Sequence, residues 1–72
     1  MPFNKSVFGA RLRGKRGELD ISQGELAERS GLSLATINQY ENEGIVPGAD
    51  KICALAVALD TDPNYLMGWD SN

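Results

Sequence analysis

Apolar residues along this chain return at spacings of three and four, as in Phe8 and Leu12, Ile37 and Tyr40, and Ile52, Leu55, Ala56 and Leu59. Val and Ile seldom alternate with polar residues, and no Asn-Gly or Asp-Gly turn separates two apolar runs. The period is that of helices and not of strands, so the chain reads as all-α. A first helix over residues 6–18 places Val7 or Phe8, Leu12 and then Leu19 inward. Gly9, Gly14 and Gly17 weaken it intrinsically, so packing must hold it. Ser22-Gln23-Gly24-Glu25 fits a reciprocal capping box that starts a second helix, ending at Arg29 or Ser30. Gly31 stands where a helix end needs positive φ, and Ser33 serves as N-cap for a third helix over residues 34–42. Pro47-Gly48 announces a fourth helix, with Asp50 in its first turn and Ile52, Leu55, Ala56 and Leu59 at core spacing. A short fifth helix starts at Asp62 with Pro63 at its first position and turns Tyr65 and Leu66 inward. No repeat, linker or low-complexity stretch interrupts this order.

At 72 residues there is room for one domain, residues 1–72, built on a single apolar cluster. An apolar fraction of 42% with 24% charged residues is that of a chain that folds. Cys53, expected inside helix 4, has no second cysteine to pair with, and the chain contains no His. An intramolecular disulfide is therefore excluded, the usual zinc ligands are missing, and no cofactor is expected. The same absences, with no clustered acids, leave an enzyme little support. Gly14-Lys15-Arg16-Gly17 is not a phosphate loop, since it lacks the preceding strand and the spaced first Gly. No stretch is apolar enough for a membrane span, and residues 1–5 lack the run of a signal peptide, so the expected location is the cytoplasm.

Charge qualifies this picture. The net charge of −3 disfavours nucleic acid as a partner if taken as an average. Yet Lys5, Arg11, Arg13, Lys15 and Arg16 stand within residues 1–16 with no acid, while all ten acids lie beyond them. The distribution predicts one positive edge on an acidic body.

Two short helices joined by a three-residue turn form either a plain αα-hairpin or a DNA-reading helix-turn-helix. Here Ala27 supplies a small side chain at the helix crossing, Gly31 allows the turn, and Leu26, Leu32, Ile37 and Tyr40 supply the apolar wedge. The stretch resembles the helix-turn-helix of the lambda-repressor-like family, also called the Cro/C1-type or XRE family, and the likeness covers about residues 5–67. It includes Ile-Ser-Gln-x-Glu-Leu-Ala at 21–27, Glu-Asn at 41 and 42, a Pro-led fourth helix at 47–59, and Asp62-Pro63-Asn64-Tyr65-Leu66 as a final helix. The resemblance implies a compact five-helix lambda-repressor-like domain with the motif at helices 2 and 3. It further implies a sequence-specific transcriptional regulator, of phage or prophage repressor type, that binds double-stranded DNA at a palindromic operator as a homodimer.

The major groove admits an α-helix and presents distinguishable base edges. With Ile37 and Tyr40 facing the core, Leu34, Ala35, Asn38 and Gln39 share the outward face of helix 3 and are the candidate base readers. Asn38 and Gln39 each match adenine N6 and N7, and Leu34 and Ala35 match thymine methyls, so A·T pairs are expected in the site. The bland reading of all four is a solvated helix face. Gln23 is expected at phosphate, a role the resemblance implies, with Thr36 and Asn42 as further phosphate candidates unless local capping occupies them. The resemblance also pairs Arg16 with Glu41 between helix 1 and the end of helix 3, making Arg16 scaffold first and phosphate contact second. Arg11, Arg13 and Lys15 decorate a solvated face, with one or two near the DNA backbone; Arg11 is the candidate retained.

Glu43-Gly44-Ile45-Val46-Pro47 stands where many relatives place Lys and Arg, which predicts weak non-specific affinity and a shallow salt dependence. Met67 and Trp69 are the candidate dimer contacts, against the alternative that Trp69 folds back onto the protomer's own core. The competing function is an acidic protein-interaction module, such as an antitoxin or anti-repressor partner, which the negative charge favours and Gln23, Asn38 and Gln39 disfavour.

Overall fold

A computed structural model describes residues 5–69; residues 1–4, read above for a leader, and 70–72 lie outside the described residues. Five helices follow in order: α1 (Lys5–Leu19), α2 (Gln23–Ser30), α3 (Leu34–Asn42), α4 (Ala49–Ala58) and α5 (Pro63–Met67). There is no strand among the described residues, as the apolar period predicts. None of these helices is long and apolar enough to cross a membrane.

Local chemistry fixes the boundaries. The Ser22 hydroxyl accepts from the Glu25 amide at 3.0 Å, so the predicted N-cap of α2 is present. The reciprocal half of the predicted box is replaced: the Glu25 carboxylate turns one helical turn onward to Arg29, 2.8 Å away. Gly31 ends α2 at φ 76°, with its amide on the Ala27 carbonyl, a conformation a β-carbon would strain. Two residues later the Ser33 hydroxyl accepts from the Thr36 amide at 3.1 Å and starts α3. Asp62 caps α5 through the Asn64 amide at 2.7 Å, with Pro63 at the first position.

Packing runs α1 on α3 and α5, α2 on α3 and α4, and α4 on α5. Phe8, Leu12, Ile21, Leu26, Ala27, Ile37, Tyr40, Ile52, Leu55, Ala56, Leu59 and Leu66 form one buried cluster, with Tyr65 and Met67 half-buried against it. Phe8 meets Tyr40 edge to face at 6.0 Å between ring centres. Burial, and then the nearby charge of Asp50, hold the Tyr40 phenol above its ordinary pKa, so it stays neutral. Cys53 lies in α4 as expected but is exposed.

One core expectation is corrected. Leu19 is not inward but 39% exposed, and Ile21 takes its place in the cluster. The reason is the end of α1: Asp20 adopts φ 56° and the Ile21 amide returns to the Arg16 carbonyl at 3.1 Å, which reverses the chain. Leu19 is itself the last residue of α1, so its side chain stands at the helix end, and the reversal after it brings Ile21 into the cluster instead.

The crossing of α1 and α3 is unusually close. A β-carbon placed on Gly9 would lie 2.9 Å from the Tyr40 carbonyl oxygen and 3.0 Å from that of Glu41. The first of the three glycines that weaken α1 is thus the one its packing requires.

Candidate nucleic-acid interface

The wedge of Leu26, Ile37 and Tyr40 presses one side of α3 against its neighbours, so its opposite side must face solvent. Leu34 is 53% exposed, and Ala35, Asn38 and Gln39 are exposed beside it. All four line one open groove of about 440 Å³, together with Gln23 from the first turn of α2 and Glu43 at the end of α3. The structure thus brings together the four predicted readers and the foremost predicted phosphate contact. Among the described residues, no hydrogen bond holds the side-chain amides of Asn38 or Gln39, so both retain a donor and an acceptor for a ligand.

Behind this groove lies a buried ion pair. Glu41 is 4% exposed, and its carboxylate accepts from Arg16 Nε at 2.8 Å and Arg16 Nη2 at 3.1 Å. The remaining Arg16 Nη1 donates to the Ile21 carbonyl at 3.0 Å. The implied pair is therefore present, and it also anchors the turn between α1 and α2. Direct hydrogen bonding to Glu41 raises the Arg16 pKa, while burial pulls the other way. Gln23 Nε2 joins the same carboxylate at 3.1 Å. One carboxylate on α3 thereby holds a side chain from α1 and another from α2, and Arg13 Nη1 donates to the Glu41 main-chain carbonyl. Every buried side-chain nitrogen and oxygen among the described residues has a partner.

The Gln23 tether was not legible from sequence. It fixes the amide so that one Nε2 proton points inward and the other remains for an outside acceptor. Thr36 is partly engaged too: its hydroxyl accepts from Ser33 at 2.8 Å and keeps its own proton to donate. Asn42 is exposed at the end of α3.

The predicted positive edge is largely turned inward. Arg11 Nη1 donates to the Tyr65 carbonyl at 2.7 Å, and its guanidinium lies 4.4 Å from the Tyr65 ring centre. Lys15 sits 5.0 Å from the same ring and 3.3 Å from Glu18. Arg11, Arg13 and Arg16 therefore have acceptors on α3, α5 or the turn after α1, while Lys15 pairs along the surface of α1 with Glu18. Outside the groove lining, Trp69 is 55% and Val57 81% exposed, so Trp69 does not fold away into the core, while Met67 is half-buried against it. Among the described residues no group of three or more His, Cys, Asp or Glu could hold a metal ion.

A five-helix domain with an exposed third helix braced by the second defines the helix-turn-helix class. The helix-turn-helix family matches residues 12–66, and the chain belongs to that family. It is 34% identical over 67 residues to repressor protein C2 of Salmonella phage P22, covering 93% of this chain and 31% of that one. To the uncharacterized HTH-type transcriptional regulator YobD of Bacillus subtilis it is 31% identical over 62 residues, covering 86% of this chain and 55% of that one. The chain thus spans only part of the length of these relatives. In three dimensions it superposes on the P22 c2 repressor in complex with synthetic operator 9T with a TM-score of 0.81 at 35% identity, covering 88% of this chain and 96% of that one. The controller protein C.AhdI of a restriction-modification system of Aeromonas hydrophila gives a TM-score of 0.80 at 35% identity, covering 86% and 94%. The lambda-repressor-like fold expected from residues 5–67 is confirmed.

Proposed function

We propose that this chain is the DNA-binding domain of a sequence-specific transcriptional regulator of phage-repressor type, which lays α3 in the major groove as one half of a homodimer on a palindromic operator. The observation that carries the reading is the single groove formed by Gln23, Leu34, Ala35, Asn38 and Gln39 on the outward side of α3. Asn38 and Gln39 read adenine, Leu34 and Ala35 close on thymine methyls, and the free Nε2 proton of Gln23 meets a phosphate beside the start of α2. The Thr36 hydroxyl and Asn42 are secondary phosphate contacts. Arg16 acts as scaffold, and Arg11 reaches phosphate only by leaving the Tyr65 carbonyl. The operator complex of the P22 repressor supports the reading. On it the domain performs no chemistry and works in the cytoplasm.

Selection of binding sites from random duplex DNA tests this. The wild-type domain is expected to enrich an A·T-containing palindrome, and Gln39→Ala to lose about tenfold in affinity with relaxed preference at one base pair per half-site. Recovery of the same sites by both proteins removes Gln39 from the readers.

One reading helix spans too few base pairs for useful specificity, which favours a twofold pair with half-sites about 34 Å apart. Met67 and Trp69, which do not line the groove, are the proposed contacts. Sedimentation equilibrium of Trp69→Ala is expected to show weaker self-association by about tenfold or more, in line with a buried aromatic anchor. An unchanged constant takes Trp69 out of the interface.

A further inference from the structure

Glu43 is the last residue along the chain to line the groove, and the contacts proposed above give it no part in reading bases. It is the C-cap of α3, with φ −113°, ψ 5° and its amide on the Gln39 carbonyl at 2.9 Å. That bond keeps position 43 one helical turn beyond Gln39 on the same face, and the residue lines the groove with Asn38 and Gln39. Residues 42–48 include no Lys or Arg, and no ion pair holds Glu43 among the described residues. The position is exposed.

A carboxylate accepts hydrogen bonds and donates none. In the major groove guanine offers O6 and N7, both acceptors; thymine offers O4 and a methyl; adenine sets the acceptor N7 beside its N6 donor. Cytosine alone offers a donor, N4, without an acceptor of its own beside it. A negative charge brought to this groove is opposed by phosphate, guanine and thymine, meets both an acceptor and a donor on adenine, and is met by a donor alone only on cytosine. We infer that Glu43 is a specificity-determining residue that selects cytosine at the base pair facing the end of α3. The inference rests on the DNA-reading function proposed above and extends it from A·T preference to a mixed half-site, with Gln39 and Glu43 reading successive positions along one face.

The test is site selection from random duplex DNA with the wild-type domain and with Glu43→Gln, followed by titration on palindromes that differ only at the affected pair. Wild type is expected to enrich cytosine at one position per half-site. Glu43→Gln is expected to cut the preference for cytosine about tenfold and move it toward adenine, which a glutamine amide matches at N6 and N7. The exposed position makes an unchanged melting curve the expected control. If affinity instead rises equally on all sequences and the enriched site is unchanged, Glu43 only repels phosphate and the assignment fails while the DNA reading stands. If the wild-type domain enriches no site at all, both fall together.

Discussion

Glu41→Ala is expected to cost about 3 kcal/mol of folding stability, the range for breaking a buried ion pair from one side. Its removal strands the Arg16 guanidinium, which retains only the Ile21 carbonyl, and frees Gln23 Nε2 as well. It also opens a void at the junction of α1, α2 and α3. In a domain of this size about 3 kcal/mol corresponds to a fall in melting temperature on the order of 15 °C. Thermal unfolding followed by circular dichroism checks it, and a fall under about 3 °C would mean that the pair contributes little beyond surface electrostatics. Arg16→Ala is expected to be at least as damaging, since it leaves a carboxylate that is 4% exposed without its cation.

The second large effect is expected at a residue with no side chain. Gly9→Ala adds a β-carbon 2.9 Å and 3.0 Å from two main-chain oxygens of α3, and backbone cannot move aside as a flexible side chain does. α1 must lift from α3, loosening the contact of Phe8 with Tyr40, at an expected cost of about 2 kcal/mol. Gly14→Ala makes the contrast within the same helix. No atom lies within 4 Å of its added β-carbon, so the gain in helix propensity is expected to stabilise the domain by roughly 0.5 to 1 kcal/mol. Urea unfolding of the two variants decides the matter: shifts of the same sign would mean that the crossing of α1 and α3 is softer than its distances imply.

What was legible in the sequence was what neighbours in the chain decide. Ser22, Gly31, Ser33, Asp62 and Pro63 act on amides and carbonyls a few residues away, so their roles at helix ends could be read from spacing, and the bounds of α3 agree to the residue. The outward side of α3 was legible for the same reason, because Ile37 and Tyr40 fix its inward side. Leu19 keeps its helical position as the last residue of α1 yet is exposed, because the left-handed Asp20 turns the chain there and Ile21 fills the cluster, a reversal that apolar spacing does not report. The Gln23 tether and the inward commitments of Arg11 and Arg13 were not legible. They join positions 18, 54 and 28 apart, and only the folded arrangement brings those positions together. In the sequence Glu43 stands only as the absence of a cation after helix 3, whereas in the fold it is the C-cap of α3 and lines the groove.

The engaged cations of α1 have a kinetic consequence. With Arg16 paired to Glu41, Lys15 to Glu18, Arg11 and Arg13 tied down on main-chain carbonyls and a net charge of −3, the molecule is expected to exert little long-range pull on a polyanion. Under the proposed function, its encounters with DNA are expected to run at the pace of unguided diffusion and to respond weakly to ionic strength. Discrimination between sequences then lies almost wholly in residence time, in how long the short-range fit lasts once the helix is seated.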